Sequence, residues 1–249
     1  LAEKTKKSLN SDCLMISHDQ NDITAENSIK ISTKSVVNPS THLIRGSTLE
    51  TSDEIKKNIT NYSTIILMSN LAGKAGTGIG PIVSKICKQE QKNLLSFAVM
   101  PFKFEKERIF QSGIALKRIR EDSECTIVVD NDALLDSNPD LTQKECYDIS
   151  NNAIESMVHS LKSSEISDNT NILSTSKTAD DIEVSLKDSL RMLYEDAPPN
   201  SIKRSMLYVY GDGNIPVGVL NTISNITGGT FDEDSTHIEM SSEESKVML

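Results

Sequence analysis

The sequence predicts an α/β protein: a parallel sheet covered by helices on both faces, a long central helix, then a small α+β domain. Two observations predict it. Between residues 12 and 161, apolar runs of strand length alternate with amphipathic stretches. Runs that are apolar throughout, rather than at every second residue, belong to strands buried on both faces, as in parallel sheets. From residue 162 the composition shifts to Ser, Asn and Thr, and strand and helix signals then resume.

The elements follow in order. Residues 1–11 (LAEKTKKSLNS) read as the end of a helix, and Leu1 in place of Met points to a longer parent chain. Residues 12–17 (DCLMIS) suit one buried strand and 54–60 a helix. Residues 64–69 (TIILMS) form a second strand, opening on β-branched side chains. A glycine-rich turn covers 70–81, and an amphipathic helix follows over 81–91. A third strand lies at 94–100 (LLSFAVM), a helix at 110–120 and a fourth strand at 125–129 (CTIVV). Within 141–161 the residues Ile149, Ala153, Ile154, Met157, Val158 and Leu161 fall on one helical face. This central helix closes the first and larger domain at residue 161, and 162–177 read as a linker. The smaller domain, 178–249, holds a helix at 180–194 stopped by APPN and a strand at 206–210. A helix at 217–226 ended by Gly228 and Gly229, and strands at 236–240 and 246–249, complete it.

Composition narrows the function. A net charge of -10 provides no basic footprint for nucleic acid. No apolar run approaches the length of a membrane span, and no signal-peptide pattern is present, so a cytoplasmic location is expected. Cys13, Cys87, Cys125 and Cys146 stand far apart without a CxxC pair. That spacing predicts neither a metal site nor a disulfide framework.

The segment richest in chemistry is NLAGKAGTGIGP, residues 70–81, between a buried strand and a helix. Gly73, Gly76, Gly78 and Gly80 leave backbone amides unshielded, and the start of the helix adds partial positive charge. Thr77 supplies a hydroxyl and Lys74 a cation, so phosphate binding is one reading and a tight ligand-free turn the other. No GK[ST] closes the segment, so it is not a Walker A loop.

Four segments in order give a more specific resemblance. AGKAGTG at 72–78 resembles the GGGTGTG signature of the FtsZ/tubulin family, and PFKFE at 101–105 resembles its PFxFEG segment. TIVVDNDALLD at 126–136 is similar to the family's LIVIPNDRLL, and ECYDISNNAI at 145–154 to its central helix. The resemblance implies a Rossmann-like GTPase core binding GTP or GDP, with Mg2+ as a candidate companion ion and self-association into protofilaments. It places Gly73, Lys74, Gly76, Thr77 and Gly78 around the phosphates, with Asp19 in the acidic loop near them. Glu105 would reach the ribose, and Arg108 would stand near the sugar or base. Asn131 would bond the base, Tyr147 stack on guanine and Asn151 read its polar edge. Read singly, Tyr147 is a packing aromatic, Asn131 a turn cap and Glu105 a solvated charge.

The departures from the family bear on mechanism. Its opening strand and GGxGxN phosphate loop have no counterpart here, and Ala72, Lys74 and Ala75 replace two glycines and a threonine. Lys74 either supplies compensating charge or blocks the site. The acidic activating loop after the central helix is reduced to SDNTN, where Asp168 is the nearest candidate for a catalytic acid. The expectation is therefore a guanine-nucleotide-binding protein, a filament-forming GTPase of cell division or the cytoskeleton, with weak or lost hydrolysis. The alternative is a catalytically inactive scaffold or regulatory binding protein of the same family. A Rossmann dehydrogenase would need a ribose-binding acid about 20 residues beyond the glycine turn. The strand there ends instead in Met100 and Pro101.

Overall fold

The computed structural model describes residues 1–34, 37–160, 170–176, 182–198, 201–202, 204–211, 218, 221, 225, 233–240 and 246–248. Two compact units emerge: Leu1–Val129 with Ile154–Asn171, and Asp130–Ala153 with Ile172–Leu249. Among the described residues no helix is long and apolar enough to cross a membrane.

The first unit begins with α1 (Ala2–Leu9), closed by Asn10 in the left-handed conformation. Its outer face is tied to residues beyond 153 by Lys4–Glu155 at 3.1 Å and Ser8–His159 at 2.9 Å. β1 (Met15–Ser17) pairs in parallel with β2 (Ser28–Lys30), with Ile16 opposite Ile29. Then come α2 (Thr41–Glu50), capped by the Ser40 hydroxyl on Leu43 N, and α3 (Ser52–Ile59). β3 (Thr64–Asn70), α4 (Lys74–Gln89), β4 (Asn93–Met100), α5 (Lys106–Asp122) and β5 (Cys125–Asp130) follow.

A four-stranded sheet runs β3-β4-β5-β6, where β6 is Thr170–Ile172. Strands β3 and β4 are parallel, in register from Thr64 opposite Asn93 to Asn70 opposite Val99. Both chains therefore leave the sheet at the same end, which makes the turn after Asn70 a neighbour of the segment after Met100. The two sheets share one core. Ile29 and Ile31 beside β2, Ile44 of α2, Ile55 of α3 and Ile79 and Ile86 of α4 are buried together, with Ile16, Ile65 and Leu67 packed against them. Each such isoleucine contributes about 1.5–3 kcal/mol through burial.

In the second unit, α6 (Asn131–Ser137) packs on α8 (Ile182–Asp196), and α7 (Gln143–Ser160) starts here. Its sheet has the order β8-β7-β9, with β7 (Arg204–Gly211) parallel to β8 (Glu233–Met240) and antiparallel to β9 (Lys246–Met248). The helix expected at 217–226 lies largely outside the described residues, although Gly218, Asn221 and Asn225 are helical.

Two local readings change. The segment 70–81 is not a turn along its whole length, because α4 already starts at Lys74 with Gly73 as its N-cap. Helix α5 starts at Lys106 rather than at 110, because Glu105 closes the turn before it.

Candidate functional site

The site is built from the end of β3 upward. Gly73 N donates to Asn70 O at 3.2 Å, and Ala72 N donates to the Asn70 side chain at 3.0 Å. Leu71 N reaches β4 at Val99 O (2.8 Å), while the buried Ser112 hydroxyl of α5 donates to Leu71 O (2.6 Å). Four bonds thus fix a turn only a few residues long.

Glycines let α4 start immediately behind it. A Cβ on Gly76 would lie 1.9 Å from Asn70 O, and one on Gly78 would lie 2.9 Å from the Ile44 side chain of α2. Gly73, by contrast, has room: a Cβ there meets nothing nearer than Asn70 O at 3.7 Å. The glycines at 76 and 78 serve close packing of backbone and helix, which a sequence reading does not distinguish from exposure of amides.

The start of α4 is open to an anion. No side chain caps it, and its first turn carries no acidic residue. The first intrahelical amide is Thr77 N, bonded to Gly73 O at 3.1 Å. The amides of Lys74, Ala75 and Gly76 find no acceptor among the described residues. Three adjacent N–H donors at the positive end of a 16-residue helix, beyond the carboxyl end of a parallel strand, suit a phosphate.

The neighbouring side chains are engaged within the protein. The Thr77 hydroxyl donates to Gly73 O at 3.0 Å, and Thr77 is buried. Lys74 Nζ donates to Asn38 Oδ1 at 2.7 Å and Pro39 O at 3.2 Å, ahead of α2. After β4, Glu105 accepts from Phe102 N (3.2 Å) and from Arg108 Nη1 (2.7 Å), while Phe102 and Phe104 stack at 5.1 Å. The structure brings Glu105 and Arg108 into one ion pair at the same sheet end as the turn. Asp19 caps the 3-10 turn Gln20–Asp22 by accepting from Asn21 N at 2.9 Å, and Asp22 accepts from Ser17 Oγ at 2.8 Å.

In the second unit Asn131 is fully buried, and its Oδ1 accepts from Ser150 Oγ of α7 at 2.6 Å. Tyr147 and Asn151 stand one turn apart on α7, both half-buried. Asp130 caps α6 through Asp132 N at 2.8 Å; burial raises its carboxyl above the ordinary value, with the Asp132 charge adding to the rise. Asp168 lies outside the described residues.

Among the described residues no group of three His, Cys, Asp or Glu is placed to hold a metal. Asn70, Ser112, Asn38 and Arg45, which bonds Thr77 O at 3.2 Å, shape the turn but carry no motif. Pro81 inside α4 was the one available signal, because it leaves Thr77 O needing an outside donor.

Comparison with known proteins agrees with this geometry. A 104-residue stretch is 29% identical to cell division protein FtsZ 2 of Halobacterium salinarum, covering 42% of this chain and 26% of that one. A 101-residue stretch is 31% identical to cell division protein FtsZ of Aquifex aeolicus, covering 40% and 28%. The matched stretches thus span little more than a quarter of these relatives. Among solved structures, an empty FtsZ dimer of M. jannaschii superposes with a TM-score of 0.77 at 15% identity, over 99% of this chain and 83% of that one. CetZ of Methanosaeta thermophila gives 0.71 at 18% identity, over 98% and 80%. Residues 5–139 match the family model described as the GTPase domain of the Tubulin/FtsZ family. The open helix start behind a parallel strand and this match lead to one conclusion: the chain belongs to the Tubulin/FtsZ family.

Proposed function

We propose that the chain binds GDP or GTP, with the phosphates at the amides of Lys74, Ala75 and Gly76. The uncapped start of α4 carries this reading. Gly73 would border the phosphates, with Gly78 packing α4 onto α2 behind them, and Glu105 and Arg108, at the same sheet end, would meet the sugar. Asn131, Tyr147 and Asn151 are proposed for the base: the aromatic face gives affinity and the carboxamides give polar selectivity. Asp19 is proposed beside the phosphates and any accompanying Mg2+, which would neutralise phosphate charge.

Binding exceeds hydrolysis in this proposal. Hydrolysis needs a water held in line and the developing charge stabilised. The Thr77 hydroxyl and the Lys74 ammonium, the nearest groups able to assist, are bonded to protein oxygens. We therefore assign slow or absent turnover, with Asp168 the remaining candidate for an activating acid. Assembly into filaments within cell division or the cytoskeleton, in the cytoplasm, is proposed from family membership. The engagement of Lys74 with Asn38 and Pro39 also favours a second reading, an inactive scaffold of the same family. Calorimetric titration with GDP, followed by phosphate release from GTP, tests both. GDP binding with release no faster than in buffer selects the binder without turnover. Absence of GDP binding overturns the nucleotide reading.

A further inference from the structure

Pro81 lies inside α4 and has no N–H to return to Thr77 O, four residues earlier. Arg45 of α2 supplies the missing donor, with Nη2 3.2 Å from Thr77 O. The placement is unfavourable for Arg45 in other respects. Burial lowers its pKa, and the charge of Arg118 on α5 lowers it further. Its Nε is buried without a hydrogen-bond partner, and no acid pairs with it among the described residues. A half-buried cation beside a second cation is tolerated where a carbonyl needs its proton.

We propose that Arg45 is a positioning residue for the phosphate-binding start of α4, its guanidinium standing in for the amide that Pro81 lacks. Thr77 is the relay. Its carbonyl takes Arg45, while its N–H and hydroxyl both donate to Gly73 O, at 3.1 and 3.0 Å. Any shift of α2 therefore reaches the N-cap through one residue. The same helix packs its Ile44 side chain and Thr41 O against Gly78, where a Cβ would lie within 2.9 and 3.3 Å of them. Just ahead of α2, Asn38 and Pro39 hold Lys74. Helix α2 thus grips the second turn of α4 while the segment just ahead of it holds the first residue, and together they set how the amides of 74–76 are presented.

This inference rests on the guanine-nucleotide reading, and a four-protein set separates the two. Wild type, Arg45→Met, Pro81→Ala and the double variant are compared by urea midpoint without nucleotide and by calorimetric affinity for GDP. Arg45→Met is expected to weaken GDP binding about tenfold to a hundredfold, the scale of one charge-assisted hydrogen bond. In the double variant the amide of residue 81 bonds Thr77 O, so affinity should return to within about twofold of Pro81→Ala alone. Arg45→Lys, which keeps one donor, replaces Arg45→Met if the latter does not fold. Lowered urea midpoints with unchanged GDP affinity would reduce Arg45 to a stabilising contact and overturn the positioning role. A double variant as weak as Arg45→Met would overturn the amide-substitution argument. If no member binds GDP, the nucleotide reading fails and the positioning role with it, whatever coupling the midpoints show.

Discussion

Replacing Gly73 by Asp sets fold stability against ligand binding at a single atom. Gly73 caps α4 in an extended conformation, φ -98 and ψ 152, that any residue adopts. A Cβ there makes only ordinary contact at 3.7 Å. The new carboxylate would accept from the amide of Ala75 or Gly76, as N-cap acids do. Over glycine, that cap is worth a few tenths of a kcal/mol, and the negative charge at the positive helix end adds about 0.3–1 kcal/mol. The protein without nucleotide should therefore gain roughly 0.5–1 kcal/mol, read as a raised urea midpoint at unchanged slope. The same carboxylate occupies the proposed phosphate donors. Losing one charge-assisted hydrogen bond costs about 1.5–3 kcal/mol, so GDP affinity should fall about tenfold to a hundredfold. A variant that is stabilised yet binds GDP as wild type would refute the assignment of phosphate to these amides. A destabilised variant would refute the claim that the helix start lacks a cap.

Gly76→Ala should behave oppositely: its Cβ would collide with Asn70 O, so about 1–3 kcal/mol of stability should be lost in urea unfolding, and an unchanged midpoint would contradict the geometry. Tyr147→Ala should weaken GDP binding by about 1–3 kcal/mol, the scale of base–aromatic stacking, while unaltered affinity in a folded variant removes Tyr147 from the base site. Burial holds the Asp130 carboxyl above its ordinary value. Such a group contributes stability below its unfolded pKa that is lost as pH rises through the folded one. Asp130→Asn keeps an oxygen for Asp132 N, so it should flatten the fall in urea midpoint with pH above the ordinary carboxylate range; an identical pH profile would count against it. Burial pushes the Cys87 thiol up to about 11, so Cys87 in the native protein should resist thiol reagents at neutral pH, read residue by residue, and Cys87→Ala should leave GDP affinity intact.

Strands with continuous apolar runs were legible in the sequence. Residues 64–69 and 94–100 needed no partner to be recognised, because each is apolar almost throughout; β4 is buried along most of its length, whereas Ile65, Ile66, Leu67 and Met68 of β3 are half-buried. Strands of three residues, Ser28–Lys30 and Thr170–Ile172, are too short to show a period, and the second interrupts a serine-rich stretch that reads as a linker. The start of α4 was misplaced for a different reason. Glycine spacing signals a loop on propensity, yet Gly76 and Gly78 lie inside the helix, where glycine is needed because Asn70 O and Ile44 leave no room for a Cβ. The family was legible because four segments occur in order. The partners of Thr77 and Lys74 were not, because Arg45 and Asn38 lie 32 and 36 residues away and only tertiary packing brings them close.

Backbone amide shifts on titration with GDP, followed by 15N NMR, test the central claim most directly. The predicted result is saturable movement concentrated at Lys74, Ala75 and Gly76, needing about tenfold to a hundredfold more GDP in Gly73→Asp. Shifts confined to other residues, or none at saturating GDP, would contradict a phosphate site at the start of α4.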